Sequence, residues 1–99
     1  MTGAPTVARL VVVEGLVQGV GYREFTRRAA FRHAISGWVR NRADGTVEAL
    51  LLGSEATVEV MLAEMRRGPR GASVTALRSA PATEPEDAEA GAFVVRSTL

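Results

Sequence analysis

The sequence contains no cysteine and no lysine, and only 5% of its residues are aromatic. Without cysteine, the protein cannot form disulfide bonds, thiolate metal sites or a cysteine nucleophile. All twelve basic residues are therefore arginines, and eleven acidic residues interspersed among them leave a formal net charge of +1. This near balance argues against a nucleic-acid footprint and favours an ordinary soluble globular protein.

Long hydrophobic runs are also missing. No stretch approaches the roughly eighteen apolar residues of a membrane span. The first ten residues, MTGAPTVARL, lack the apolar core of a secretion signal, so we expect a cytoplasmic protein. A chain of 99 residues is long enough for one hydrophobic core, and it shows no repeat and no linker. We therefore expect a single domain that spans residues 1–99.

Hydrophobic periodicity and turn signals predict the order of the secondary-structure elements. The predicted elements are a strand at Val7–Val13, a helix at Tyr22–His33, strands at Ile35–Asn41 and Thr46–Leu52, a helix from the N-cap Ser54 to Gly68-Pro69, and strands at Ser73–Ser79 and Ala92–Arg96. Asp44-Gly45 is a strong turn signal that joins the two middle strands as a hairpin.

This order, β-α-β-β-α-β with an extra strand segment near the last connection, predicts an α+β fold. The expected architecture is the ferredoxin-like split βαβ sandwich, in which one antiparallel sheet carries both helices on one face. Trp38 is expected in the core, and His33 at the end of the first helix is expected to have no catalytic role. The acidic run Glu84–Glu89 lacks calcium-loop spacing and predicts a solvated loop.

The segment EGLVQGVGYRE, Glu14–Glu24, carries the strongest functional signal. Gly15, Gly19 and Gly21 stand between a predicted strand and a predicted helix, where loop amides and a helix N-terminus can converge on a phosphate. The spacing is neither that of a P-loop nor that of the dinucleotide fingerprint, because Glu24 occupies the place of the third glycine. The glycines alone therefore favour a turn with unusual dihedral angles.

Arg23 shifts that balance towards an anion site. A cation in the first turn of a helix is unfavourable by roughly 0.3–1 kcal/mol, because it meets the positive end of the helix dipole. The placement becomes favourable when an anion lies between the cation and the amides, and arginine can grip two phosphate oxygens. The alternative is a surface arginine that pairs with Glu24 or Glu14. The loop and the arginine together favour an anion site.

Asn41 ends the second predicted strand, directly before the turn segment RADG. Asparagine commonly stands at the entry of a turn and hydrogen bonds its own backbone there. Position alone therefore favours a structural role for Asn41.

Two segments, VEGLVQGVGYR at Val13–Arg23 and GWVRNRADGTVE at Gly37–Glu48, resemble the two signature segments of the acylphosphatase family in order and separation. The segment RRGPRGASV also resembles that family's stretch between the second helix and the fourth strand, and the likeness extends from about Val7 to Val95. The resemblance implies a small, metal-independent hydrolase of carboxyl–phosphate anhydrides without a cofactor. Its expected partner is a small acyl phosphate, with no nucleic acid and no membrane, and the protein is expected to be monomeric.

The resemblance also implies roles for individual residues. Arg23 matches the phosphate-binding arginine, and Asn41 matches the asparagine that positions the attacking water. The matching phosphate-binding loop consists of Gly15, Gln18, Gly19, Val20, Gly21 and Tyr22. The chain departs from the family at His33, where an apolar residue is common, and at Ala34, where many members have glycine. These departures concern the corner between the first helix and the second strand.

The implied reaction fits the scarcity of catalytic side chains. The leaving carboxylate has a conjugate acid with a pKa of about 4 to 5, so its departure needs no general acid. Phosphoryl transfer then needs mainly positioning and stabilisation of charge on the phosphoryl oxygens. The alternatives are a non-enzymatic ferredoxin-like ligand-binding module, a carbamoyl-phosphate-handling domain or a general phosphate-ester hydrolase. RNA binding is disfavoured, because the third predicted strand has no aromatic residue for base stacking.

Overall fold

The computed structural model describes residues 6–83 and 92–99, and the predicted loop at Glu84–Glu89 lies outside them. The described elements are β1 (Thr6–Leu16), α1 (Tyr22–Arg32), β2 (Ser36–Asn41), β3 (Val47–Ser54), α2 (Glu55–Arg67), β4 (Ser73–Pro81) and β5 (Phe93–Val95). Each predicted element is present, with bounds that differ by a few residues. In the described part of the chain, no helix has the length and apolar character to cross a membrane.

The strands form one sheet in the order β4-β1-β3-β2-β5. β1 pairs antiparallel with β3 and β4, and β3 pairs antiparallel with β2, which confirms the ferredoxin-like prediction. β5 pairs parallel with β2, so the sheet is mixed and not wholly antiparallel. The direction follows from the topology, because β2 runs opposite to β4. A chain that returns along the sheet after β4 must run in the direction of β2.

The main core lies between the sheet and the two helices. Because side chains alternate across a strand, every second residue of β1 and β3 faces the helices. The fully buried residues on this face of β1 and β3 are Val11, Val13, Val47, Ala49 and Leu51. α2 presents one apolar face to the sheet, and its buried residues are Val58, Met61, Leu62 and Met65.

The opposite face of the sheet carries a smaller apolar cluster around Trp38, Leu50 and Leu52. Trp38 is buried, as predicted, although it packs on the face away from the helices. The guanidinium carbons of Arg40 and Arg96 lie 4.6 and 5.1 Å from the centre of its ring. Two cation–π contacts therefore hold the indole, one of them from the chain that follows β5.

The corner between α1 and β2 is a Schellman motif. The N–H of Ala34 donates to the oxygen of Phe31 at 3.3 Å, and the N–H of Ile35 donates to the oxygen of Ala30 at 2.9 Å. Ala34 has φ of +54°, in the left-handed region where glycine is usual. The residue at which the chain departs from the acylphosphatase pattern thus keeps the backbone conformation that a glycine would have.

Glu64 of α2 links the two helices. It accepts hydrogen bonds from Arg32, at 2.6 Å, and from His33. Burial raises the pKa of Glu64, but the hydrogen bonds and charges of His33 and Arg32 outweigh it and hold the pKa below its ordinary value. His33 therefore lies at the corner after α1 and forms a hydrogen bond with Glu64 of α2.

Candidate active site

The loop between β1 and α1 passes twice through left-handed backbone. Gly19 and Gly21 have φ of +77° and +78°, a conformation that other residues rarely adopt. A Cβ added at either position would meet no atom within 4 Å. Glycine is therefore required at these two positions by the backbone and not by close packing.

Gly15 has a different role, within β1. It lies at the register shift between β1 and β4, which is a β-bulge. A Cβ on Gly15 would lie 2.1 Å from the backbone oxygen of Ser73 in β4. Gly15 thus allows β1 and β4 to approach each other closely just before the loop begins.

α1 begins without a side-chain cap. Its N-cap residue is Gly21, and the first helical hydrogen bond runs from the N–H of Phe25 to the oxygen of Gly21 at 3.0 Å. The N–H groups of Tyr22, Arg23 and Glu24 therefore have no acceptor within the helix. At the start of α2, by contrast, the Ser54 hydroxyl accepts from the helix backbone. The positive end of the α1 dipole is left for another acceptor.

A cavity of about 270 Å³ opens at this helix start. Arg23 from α1 and Asn41 from the end of β2, the two predicted catalytic residues, both line it. The complete lining is Val17, Gly19, Gly21, Tyr22, Arg23, Glu24, Asn41 and Val95. Three of the six residues of the predicted phosphate-binding loop therefore border the cavity, and Gly15, Gln18 and Val20 do not.

The two acidic residues suggested as surface partners of Arg23 bind other arginines. Glu24 lies 2.6 Å from the guanidinium of Arg27 and 3.0 Å from that of Arg28, and Glu14 pairs with Arg78. Within residues 6–83 and 92–99, Arg23 itself forms no ion pair. The suggested pairing of Arg23 with Glu24 or Glu14 is therefore not formed, and no carboxylate of the described residues pairs with the Arg23 guanidinium at the cavity wall.

Glu24 adds a negative charge to the cavity rim that two neighbours neutralise. Hydrogen bonds from Arg27 and then from Arg28 lower the pKa of Glu24 to about 2, so the carboxylate is ionised at neutral pH. Three arginines and one carboxylate then occupy the first two turns of α1. This end of the helix is net positive, which suits an anionic ligand.

The side-chain amide of Asn41 makes no hydrogen bond to any of the described residues. The side-chain-to-backbone hydrogen bond at the turn, which sequence position suggested for Asn41, is made by Asp44, whose Oδ1 accepts from the N–H of Thr46 at 3.0 Å. An amide offers a carbonyl acceptor and two N–H donors. The Asn41 side chain can therefore hold a water molecule at the cavity wall.

Three residues of the predicted loop act from outside the cavity or through their backbone. Gln18 donates from Nε2 to the backbone oxygens of Arg42 and Thr46, at 2.8 and 2.9 Å, and so tethers the loop to the β2–β3 hairpin. Val20 packs against the core. The Tyr22 hydroxyl donates to the oxygen of Met65 at 2.6 Å, and burial raises its pKa. Tyr22 thus offers its N–H to the cavity, and its phenol is part of the core.

Sequence reasoning missed three residues of the lining: Val17, Glu24 and Val95. Val17 is buried at the base of the loop. Glu24 was considered as a partner of Arg23 and as the residue in place of a third glycine, but not as part of the site. Val95 gave no signal, because its position depends on the pairing of β5 with β2, which are far apart in sequence.

The chain is similar to known acylphosphatases over most of its length. The family model described as acylphosphatase matches residues 9–94. An acylphosphatase from Acidiphilium cryptum is 48% identical over 92 residues, which cover 93% of this chain and 98% of the relative. An acylphosphatase from Rhodospirillum rubrum is 53% identical over 77 residues, covering 78% of this chain and 85% of the relative. The solved acylphosphatase of Bacillus subtilis has a TM-score of 0.84 at 30% identity, covering 91% of this chain and 98% of that one.

Proposed function

The chain belongs to the acylphosphatase family, hydrolases that act on acid anhydrides, and we propose that Arg23 and Asn41 carry out the reaction in the cavity at the start of α1. The observation that supports this proposal most strongly is the composition of the cavity wall. Within the described part of the chain, it combines a guanidinium without an ion-pair partner, a helix start without a side-chain cap and a side-chain amide without a hydrogen bond.

The phosphoryl group of the substrate binds between Arg23 and the helix start. Backbone N–H groups of the Gly15–Tyr22 loop and of the helix start at Arg23 and Glu24 donate to its oxygens, and the Arg23 guanidinium binds two of them in a bidentate manner. These donors also stabilise the charge that spreads over the phosphoryl oxygens in the transition state. Arg23 therefore serves both substrate binding and catalysis.

Asn41 holds the attacking water on the side of phosphorus opposite the leaving carboxylate. The water oxygen forms a bond to phosphorus while the bond from phosphorus to the acyl oxygen breaks, and the electron pair leaves with the carboxylate. Both protons of the water end on the phosphate, as H₂PO₄⁻. Because the carboxylate is a good leaving group, this route needs no general acid and no protein nucleophile.

We also propose that residues 1–99 act as one monomeric domain in the cytoplasm, on small acyl phosphates and without a metal, cofactor, nucleic-acid or membrane partner. The near-neutral net charge of +1 supports the absence of a polyanionic partner. Carbamoyl phosphate and alkyl phosphate monoesters are the rival substrates. An alkyl ester has a far poorer leaving group than a carboxylate, and the cavity wall offers no histidine to protonate it.

Hydrolysis of benzoyl phosphate by the pure protein, in excess chelator, tests the activity and its independence of metal. Rates on carbamoyl phosphate and on an alkyl phosphate monoester, measured in parallel, are expected to be lower. Absence of benzoyl phosphate hydrolysis would contradict the proposal.

Two substitutions test the residue roles. Arg23→Ala is expected to lower kcat/KM by about 10² to 10³ and to weaken competitive inhibition by inorganic phosphate. Asn41→Ala is expected to lower kcat by a similar factor while phosphate inhibition stays unchanged. Arg66→Ala, which removes an exposed arginine from the last turn of α2, is the control for net charge. Equal loss of rate and phosphate binding in Asn41→Ala would contradict the water-positioning role.

A further inference from the structure

Strand β5 brings one side chain into the cavity and directs its neighbour to the opposite face of the sheet. Phe93 pairs with Gly37 and packs against the helix-side core, and Val94 pairs with Trp38 on the other face. Val95 pairs with Val39, so by alternation it faces the helix side again, where it lines the cavity. Asn41 lies two residues beyond Val39 on the same face.

Backbone hydrogen bonds fix β5 at this edge of the sheet. The N–H of Arg96 donates to the oxygen of Val39 at 2.8 Å, and the N–H of Leu99 donates to the oxygen of Asn41 at 3.1 Å. The two donors, Arg96 and Leu99, lie one and four residues after Val95 in the chain. Val95 is therefore held beside Asn41 by the same strand edge that carries Asn41.

The cavity lining contains both polar and aliphatic residues. Arg23 and Asn41 carry polar side chains, and Val17 and Val95 are the aliphatic residues of the lining. Val17 is 1% exposed and belongs to the core, whereas Val95 is 42% exposed. Of the two, Val95 therefore has methyl groups that a ligand can cover.

We propose, on the basis of the proposed function, that Val95 contacts the acyl substituent of the substrate and selects for apolar acyl groups. Once Arg23 and the amides hold the phosphoryl oxygens, the acyl group extends towards the remaining wall of the cavity. An aromatic or aliphatic acyl group covers the Val95 methyls and gains hydrophobic contact. A methyl group, as in acetyl phosphate, is too small to gain much from the same contact.

The test compares kcat/KM for benzoyl phosphate with kcat/KM for acetyl phosphate. Val95→Ala is expected to lower the benzoyl-to-acetyl ratio by about threefold, and Val95→Asp by about tenfold or more, since contact with the ring is lost and a charge is added. Val95→Thr keeps the β-branched shape that a strand favours. It should lower the benzoyl-to-acetyl ratio by a factor between those of Val95→Ala and Val95→Asp. Competitive inhibition by inorganic phosphate should stay unchanged in Val95→Ala and Val95→Thr.

Val94 provides a matched control, because it is the preceding residue of the same strand and is 40% exposed. Val94→Ala and Val94→Thr should leave the benzoyl-to-acetyl ratio at its original value. An unchanged ratio in the Val95 variants, or an equal change in the Val94 variants, would overturn the role of Val95 and leave the hydrolase activity standing. Failure of the unaltered protein to hydrolyse either compound would overturn the proposed function and, with it, this inference.

Discussion

Gln18 and Thr46 are joined by a hydrogen bond of 2.9 Å, from the side-chain Nε2 to the backbone oxygen, between the glycine loop and the β2–β3 hairpin. The same Nε2 donates to the oxygen of Arg42 at 2.8 Å. Arg23 follows the loop, and Asn41 precedes the hairpin turn. One side chain therefore connects the segments that carry the two proposed catalytic residues.

Substitution of Gln18 should loosen this connection. Gln18→Ala is expected to cost about 1 kcal/mol of unfolding free energy, because both carbonyls keep a backbone donor and lose only the amide. Gln18→Glu should cost more, because a carboxylate would face two carbonyl oxygens without a donor. Urea denaturation measures both costs, and kcat/KM on benzoyl phosphate should fall in the same order. A Gln18→Glu variant as stable as the unaltered protein would contradict the tether.

The loop glycines should differ sharply in their tolerance of alanine. Gly15→Ala places a Cβ 2.1 Å from the oxygen of Ser73 and should destabilise the protein by more than about 3 kcal/mol, because β1 and β4 must separate. Gly19→Ala meets no atom and should cost only the backbone strain, about 1–2 kcal/mol. Urea denaturation midpoints measure the difference. Similar losses in the two variants would mean that close packing at Gly15 contributes little.

Glu64 should make the stability depend on acidic pH. Its pKa in the folded protein is lower than its ordinary value of 4.5, so the folded state binds this proton less tightly than the unfolded state does. The stabilisation is present above pH 4.5 and is lost as pH falls towards the folded pKa. Glu64→Gln should cost about 1 kcal/mol at pH 7 and flatten the pH dependence of unfolding free energy below pH 4.5.

Glu59→Gln is the control for this measurement, because Glu59 is exposed on the same helix and forms no ion pair with the described residues. It should leave both the stability at pH 7 and the pH dependence nearly unchanged. The same flattening in the two variants would contradict a specific role of Glu64.

Ala34→Gly should stabilise the protein. Ala34 has φ of +54°, and glycine adopts this conformation without the steric cost of a Cβ. Part of the gain is offset by the greater entropy of glycine in the unfolded chain, so we expect a net gain of about 0.5–1 kcal/mol. Thermal unfolding measures the gain, and Ala34→Val, with a β-branched side chain at the same φ, should lower the melting temperature. A loss of stability in Ala34→Gly would contradict the strain at this corner.

Local signals predicted most of the fold. The strand at Val7–Val13, the Asp44-Gly45 turn and the helix that begins after Ser54 each depend on neighbours in sequence, and each prediction is confirmed. The parallel placement of β5 beside β2 was not predicted. It depends on which strand edge has unpaired backbone groups, a property of the assembled sheet that no stretch of sequence shows.

Local signals also indicated part of the candidate site, and contacts between residues distant in sequence again remained hidden. Arg23 stood out because a cation at a helix start conflicts with the helix dipole, and that conflict is visible in sequence. The pairing of Glu14 with Arg78 was not visible, since the two residues are distant in sequence. The pairing of Glu24 with Arg27 and Arg28 is local to the helix and was overlooked. The separate task of Gly15 was also hidden, because it depends on a backbone atom of β4.

Trp38 is the only tryptophan of the chain. The guanidinium groups of Arg40 and of Arg96, which follows β5, lie over its ring. Detachment of the C-terminal segment would remove Arg96 and admit water to the indole, which shifts tryptophan fluorescence to longer wavelength. Loss of helix, seen by circular dichroism, reports unfolding of the remaining structure. A shift in tryptophan fluorescence that precedes the loss of circular dichroism therefore reports local opening of β5, the strand that places Val95 in the cavity. The measurement needs no added label.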